Sequence, residues 1–113
     1  MHEYSIVEAL LARVDAEAHA RGATAVHRLT VRIGELSGVE IDLLATAFAT
    51  FRDHTICAHA DLYLMPVAAV WTCPVCRGEI ARGSMLRCLA CGVPARLTQG
   101  DEILLDRIEM EVP

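Results

Sequence analysis

The chain contains no lysine: its 10 basic residues are all arginine, against 15 acidic residues, and the formal net charge is −5. The arginines are scattered, and no stretch concentrates positive charge. Nucleic-acid binding needs such a stretch, because neutralising phosphates supplies most of the affinity. Anionic membrane surfaces attract basic clusters for the same reason. We therefore expect neither nucleic acid nor a membrane among the partners of this protein.

Aromatic residues and long apolar stretches are also scarce. With one Trp, two Tyr and two Phe in 113 residues, a single modest core must be built from aliphatic side chains. The longest uncharged apolar-rich run, Leu62 to Cys73, contains Pro66 and is too short to span a bilayer. Glu3 and Glu8 interrupt the first ten residues, which also lack the basic start of a signal peptide. We therefore expect a cytoplasmic protein.

The apolar pattern predicts a helix, a strand and a second helix in the first part of the chain. Ser5 with Glu8 fits a capping box and Gly22 fits a C-terminal cap. Between them, apolar residues recur at helical spacing: Ile6, Val7, Leu10, Leu11, Val14 and Ala18. The segment His27–Ile33 alternates as a half-buried strand does, with Leu29, Val31 and Ile33 on one face. Ser37 with Glu40 repeats the capping pattern before a second apolar stripe: Ile41, Leu44, Phe48 and Phe51.

Two further strands enclose a turn-rich segment. One is predicted at about Asp61 to Val67, and the other at Glu102 to Val112, where Leu104, Ile108, Met110 and Val112 share a face and Asp106 interrupts the alternation. The segment between these strands is too small to fold on apolar burial alone. It is therefore an insertion, and we expect residues 1–68 and 98–113 to form one domain and residues 69–97 a second.

Four cysteines in the inserted segment form two C-x-x-C pairs separated by eleven residues: Cys73, Cys76, Cys88 and Cys91. Four thiolates arranged as a tetrahedron suit zinc, and zinc supplies the folding energy that a small segment lacks. Glycines at 78 and 92 follow the pairs, where a positive φ is often needed. Because all four positions are filled by thiolate, the predicted zinc is structural and not catalytic.

Other interpretations of the cysteines are weaker. Disulfides are improbable in a reducing compartment. A rubredoxin-type iron site uses similar pairs and ranks below zinc, and a redox dithiol would need a C-x-x-C that opens a helix after a strand. The fifth cysteine, Cys57, lies near His54 and His59 in sequence. We expect a partly buried thiol beside two surface histidines, although this group leaves a second weak metal site open.

The amino terminus offers a different donor set. The α-amine of Met1, the amide nitrogen and imidazole of His2, and a nitrogen or the carboxylate of Glu3 can surround one ion. Such a planar, nitrogen-rich set suits nickel(II) or copper(II) better than zinc. The pattern alone is weak, because a histidine at position two is usually a solvated residue.

Together these segments resemble a known family. The residues Met1-His2-Glu3-Tyr4-Ser5, the segment Val31–Val39 with its Gly-Glu-Leu-Ser-Gly-Val turn, and the cysteine pairs occur in the order found in the HypA/HybF family of hydrogenase-maturation nickel chaperones. The resemblance covers essentially the whole chain. Two departures are Arg77, where such turns often carry glycine, and the unusual pair of Cys57 and His59.

The resemblance implies an α/β (α+β) fold, with two helices on a small three-stranded mixed sheet and an inserted zinc ribbon. It implies that Met1, His2 and Glu3 bind Ni(II) as cargo while the four cysteines bind structural zinc. The expected partners are a nickel-handling maturation GTPase and the large subunit of nickel-iron hydrogenase, or urease for some members. A homodimer formed by exchange of the last strand stays open.

Two rival functions can be compared with a nickel chaperone. A zinc-ribbon module for protein–protein interaction would show no nickel selectivity and no sensitivity to a blocked amino terminus. An enzyme is not expected, because the sequence has no Gly-rich phosphate loop, no evident pair of catalytic carboxylates and no open metal position.

Overall fold

The computed structural model describes residues 3–83 and 85–113. In chain order its elements are α1 (Glu3–Ala20), β1 (Ala25–Gly34), α2 (Ile41–Phe51), β2 (Asp61–Val67), β3 (Val70–Thr72), β4 (Glu79–Ile80), β5 (Arg96–Gln99) and β6 (Ile103–Glu111). The strands form two three-stranded sheets, with orders β2–β1–β6 and β4–β3–β5. Within the described residues, no helix combines the length and the apolarity that crossing a membrane requires.

The first sheet is mixed and carries both helices on one face. β1 is its central strand, parallel to β2 and antiparallel to β6. Leu29, Val31 and Ile33 of β1 are buried in a common core with Val14 of α1 and Leu44 of α2. This arrangement confirms the predicted α+β class with two helices on a three-stranded mixed sheet.

The end of α1 agrees with the sequence pattern, whereas its beginning does not. The helix starts at Glu3, so Ser5 lies inside the first turn and is not a capping residue. At the other end Gly22 adopts φ +65°. The Ala23 N–H donates to the Ala18 carbonyl at 2.9 Å, which closes the helix as a Schellman motif.

The capping pattern before α2 is likewise not used. The helix begins after Glu40, whose side chain makes no capping hydrogen bond. Ser37 instead accepts a hydrogen bond from the Val39 N–H at 3.3 Å, inside the preceding turn. Of the predicted apolar stripe, Leu44 is buried but Phe51 is 43% exposed, because the helix ends at this residue beside solvent.

Two residues of the face predicted for the last strand are exposed: Val112, which lies beyond the end of β6, and Leu104, which a β-bulge displaces. The pairing of β6 with β1 skips Asp106, so the alternation changes phase at that residue. Leu104, predicted on the core face, is therefore exposed on the opposite face. The residues of β6 that pack on the core lie on both sides of the bulge: Ile103, Leu105, Ile108 and Met110.

The second sheet has a small apolar cluster of its own. Ile80 is buried there with Cys73 and Cys88, and Trp71 packs against them. The predicted division between residues 1–68 with 98–113 and residues 69–97 stays a prediction. The last strand of the second sheet, β5, continues past residue 97 to Gln99.

Candidate metal centre

Two tight turns with the same hydrogen-bond pattern present the four cysteines. In the first, the Cys73 N–H donates to the residue 78 carbonyl at 2.9 Å, and the Arg77 N–H donates to the Cys73 carbonyl at 2.9 Å. In the second, the Cys88 N–H donates to the residue 93 carbonyl at 2.9 Å, and the Gly92 N–H donates to the Cys88 carbonyl at 2.8 Å. We call these turns the first and the second knuckle. Each begins at its first cysteine.

The knuckles bring the four sulfur atoms together. All four Sγ atoms lie within 4.8 Å of one another, and the distance between Cys76 Sγ and Cys88 Sγ is 3.8 Å. A tetrahedral zinc ion with Zn–S bonds of about 2.3 Å requires S···S distances of about 3.8 Å. The donor set and its spacing therefore fit zinc. Such an ion would be held by residues of both knuckles and would tie them together.

Backbone amides prepare the sulfur atoms for a cation. The N–H groups of Val75 and Cys76 each lie 3.4 Å from Cys73 Sγ, and the Cys91 N–H lies 3.4 Å from Cys88 Sγ. Donation from Cys76 and then from Val75 lowers the pKa of Cys73 to about 6. The pKa of Cys91 is raised to about 12, chiefly because its thiol shares a hydrogen bond with Cys73. The Cys73 thiol therefore loses its proton easily, whereas Cys91 does not. A bound cation would be needed to stabilise negative charge on all four sulfur atoms.

The positive φ angles of the knuckles lie at equivalent positions. Arg77 has φ +63° and Gly92 has φ +70°, each directly after the second cysteine of its pair. The sequence interpretation that placed a positive φ at Gly78 is therefore wrong, while that for Gly92 is confirmed. Arg77 adopts the left-handed conformation because the first knuckle repeats the hydrogen bonds of the second. The arginine at position 77 therefore leaves the backbone geometry of the first knuckle the same as that of the second.

An ion pair that the sequence interpretation missed joins the first sheet to the second sheet with its two knuckles, which we call the ribbon. Arg82 donates two hydrogen bonds to the carboxylate of Glu35, at 2.8 and 2.6 Å. The same carboxylate accepts a hydrogen bond from the Ala69 N–H at 2.9 Å. Arg82, first, and then the Ala69 amide lower the pKa of Glu35 from 4.5 to about 2. No sequence signal relates Glu35 to Arg82, since they lie 47 residues apart.

Of the predicted nickel ligands, Met1 and His2 lie outside the described residues. Glu3 is the first residue of α1 and is only 9% exposed. Its carboxylate accepts a hydrogen bond at 3.2 Å from the N–H of Glu40, the residue that precedes α2. Tyr4 beside it packs edge-to-face on Phe51, with 5.1 Å between the ring centroids. The beginning of α1 is thus fixed against both ends of α2.

The structure does not assemble Cys57, His54 and His59 into a metal site. Cys57 is fully buried in the core, and this burial raises the pKa of its thiol to about 11. Both histidines are exposed. In the part of the chain that the structure describes, only the four knuckle cysteines form a group of three or more residues able to hold a metal ion.

Comparison with known proteins identifies the family. A family model described as "Hydrogenase/urease nickel incorporation, metallochaperone, hypA" matches residues 1–110. The chain belongs to the HypA family. The hydrogenase maturation factor HypA of Shewanella oneidensis is 41% identical over 113 residues, which cover 98% of this chain and 96% of that protein. Its counterpart in Aquifex aeolicus is 34% identical, with 99% of each chain covered.

Solved structures of the family share the fold. The solution structure of the nickel metallochaperone HypA from Helicobacter pylori matches with a TM-score of 0.75 and 31% identity over 100% of both chains. A second HypA solution structure matches with a TM-score of 0.80 and 32% identity, covering 97% of this chain and 96% of the other. These HypA proteins are metallochaperones and maturation factors, so this chain belongs to a metal-delivery family and is not an enzyme.

Proposed function

We propose that this protein binds Ni(II) at its amino terminus and delivers it for the maturation of nickel-iron hydrogenase, while zinc at the knuckles has a structural role. The match of the HypA family model to residues 1–110 carries the proposal, because it includes both the amino terminus and the cysteine pairs. A nickel-handling GTPase and the hydrogenase large subunit are the proposed partners. The proposed location is the cytoplasm.

The chemistry of the two donor sets supports different roles for the two metals. Four thiolates from two knuckles would be lost together only if the ribbon unfolded, so zinc would exchange slowly. The terminal set of Met1, His2 and Glu3 belongs to a single short segment and contains nitrogen donors that suit nickel(II). Ligand exchange at such a segment requires no unfolding. Nickel would therefore be the transferable ion.

The buried carboxylate of Glu3 limits which of its atoms could bind nickel. Its Oε2 already accepts the Glu40 N–H at 3.2 Å, so the carboxylate serves to position the start of α1 against α2. We therefore propose the amide nitrogen of Glu3, with the donors of Met1 and His2, as its contribution to nickel binding.

Calorimetric titration of nickel into zinc-loaded protein with a native amino terminus tests the proposal. We expect one nickel per chain, abolished by His2→Ala and by a single residue added before Met1. His19→Ala is the matched control, because His19 is exposed near the far end of α1 and should bind no nickel. Equal binding by all variants would exclude the terminal site. Absence of nickel binding in the native form would favour a zinc-ribbon interaction module.

The pH dependence provides a second test of the ligand set. An α-amine has an ordinary pKa of about 7.7–8.0 and an imidazole of about 6.5, and both must be deprotonated to bind metal. Nickel affinity should therefore fall as the pH is lowered through this range. An affinity that stays constant between pH ~8.5 and pH ~6 would contradict coordination by these two groups.

A further inference from the structure

The face of the first sheet opposite the helices carries a surface that neither metal site uses. Because side chains alternate along a strand, the residues between the buried ones point away from α1 and α2. We call the central part of this surface the open sheet face. Its six residues come from all three strands: Thr30 and Arg32 of β1, Tyr63 and Met65 of β2, and Leu104 and Arg107 of β6.

The register of the sheet arranges these residues in two rows. Thr30 pairs with Tyr63 on one side and with Arg107 on the other. In the next row, Arg32 pairs with Met65 and with Leu104. The apolar members are open to solvent: Tyr63 is 51% exposed, Met65 37% and Leu104 47%. Aromatic, methionine and arginine side chains are the types that protein interfaces favour.

The charges of the open sheet face are of one sign. Among the described residues, neither Arg32 nor Arg107 has a carboxylate within salt-bridge distance, and the face itself contains no acidic residue. The neighbouring Arg28 differs, because its guanidinium lies 4.0 Å from Glu109 and 5.1 Å from the centre of the Tyr63 ring. Asp101 and Glu102 line the same cavity as Arg32 but form no ion pair with it, so both arginines of the face can pair with carboxylates of a partner.

Size and surroundings distinguish between occupants. The two rows span three strands and at most four residues along each, roughly 14 by 13 Å, well below the ~800 Å² per partner of a stable interface. A second copy packed through the same face would offer its arginines no carboxylate. A nucleic acid carries phosphates along its whole length and would also meet the acidic row beyond Tyr63, where Asp61 and Glu109 flank Arg28, whereas a protein can place its carboxylates opposite Arg32 and Arg107 alone. An acidic protein surface, bound transiently, fits best.

We propose that the open sheet face is the docking surface for a partner protein that presents carboxylates around apolar side chains. The inference rests on the proposed function, since a metal carrier must dock briefly on the protein that receives its cargo. The open sheet face lies on one side of the first sheet, and the core that packs against α1 lies on the other side. Docking on the open sheet face leaves the start of α1, which lies on the opposite face of the sheet, uncovered.

Charge reversal at the two arginines tests the proposal. The probes are the purified hydrogenase large-subunit precursor and the maturation GTPase of the same organism, immobilised for interferometry. The double variant Arg32→Glu/Arg107→Glu should weaken binding of at least one probe by about tenfold or more. The control Arg13→Glu/Arg21→Glu makes the same charge change on α1 and directly after its end, where both side chains are exposed, and should change affinity less than about twofold.

Further measurements separate the outcomes. Met65→Ser/Leu104→Ser should weaken docking without altering its salt dependence, because it removes apolar contacts and no charge. Unchanged binding in both face variants would overturn the proposal, and so would self-association of the native protein that Arg32→Glu/Arg107→Glu abolishes. All variants should retain native nickel stoichiometry in calorimetry. If the native protein binds no nickel, the proposed nickel function is refuted but the docking proposal is not, because docking is measured separately.

Discussion

The two knuckles form an internal comparison that predicts opposite effects of two substitutions on zinc affinity. Arg77 and Gly92 occupy equivalent positions and adopt nearly the same φ, +63° and +70°. Arginine carries a Cβ that the left-handed conformation disfavours, whereas glycine does not. Arg77→Gly should therefore relieve strain in the first knuckle, and Gly92→Ala should introduce it in the second.

The magnitude follows from the backbone alone. A Cβ added at Gly92 would meet nothing within 4 Å, so the cost of Gly92→Ala is conformational and not steric. The left-handed conformation costs an L-residue roughly 1–2 kcal/mol, and the greater freedom of glycine in the unfolded chain offsets part of this. We expect a net change of about 1 kcal/mol, or about fivefold in zinc affinity. Arg77→Gly should raise the affinity and Gly92→Ala should lower it.

Competition for zinc with a chromophoric chelator at neutral pH, without oxygen, measures this effect. Gly78→Ala is the nearby control: the φ of Gly78 is not positive, and an added Cβ would lie 3.4 Å from Cys76 Sγ, an ordinary contact. It should leave the affinity within about twofold. The reasoning is refuted if Arg77→Gly and Gly92→Ala shift zinc affinity in the same direction, or if neither differs from Gly78→Ala.

Three further predictions concern stability. The pKa of Glu35 is lowered from 4.5 to about 2 in the folded protein, so its ion pair with Arg82 should stabilise the fold fully above pH about 4.5 and lose this effect as the pH falls toward 2. The melting temperature of Glu35→Gln should therefore lie below that of the native protein at neutral pH and approach it as the pH falls toward 2. In urea unfolding, Gly100→Ala should lower the free energy of unfolding more than Gly22→Ala does, because of the two only the Cβ added at Gly100 would clash with backbone, 2.6 Å from the Cα of residue 69. Equal losses of stability would contradict this close approach. Cys57→Ala should leave metal stoichiometry unchanged and cost about 1–2 kcal/mol, which mass spectrometry and unfolding can check.

Much of the fold could be predicted because its signals are local. The strand predicted at about Asp61 to Val67 has these same bounds, and its side chains largely alternate in exposure as those of a half-buried strand do. The spacing of two C-x-x-C pairs was sufficient to predict that four sulfur atoms converge, because each pair closes its own turn. Capping residues were less informative. Ser5 and Ser37 have the right neighbours in sequence, yet tertiary contacts set where each helix begins.

The features that escaped prediction depend on contacts between distant segments. The bulge at Asp106 exists because β6 must keep apolar residues against the core along its whole length, and only the register with β1 reveals the change of phase. The pair of Glu35 and Arg82 is likewise visible only when the two sheets are placed together. Both features bear on the proposals above: one turns Leu104 toward the open sheet face, and the other ties the ribbon to the turn that leads into α2.

That turn connects the two candidate metal regions. It begins at Glu35, whose carboxylate binds Arg82 of the ribbon, and it ends at Glu40, whose N–H binds the carboxylate of Glu3. A displacement of the ribbon would therefore act on the position of the first helical residue through one short segment. Such coupling requires the turn to have two arrangements, because a rigid link transmits no change in affinity. Comparing nickel affinity in Glu35→Gln and the native protein measures it: equal affinities would mean that the ribbon and the amino terminus bind their metals independently.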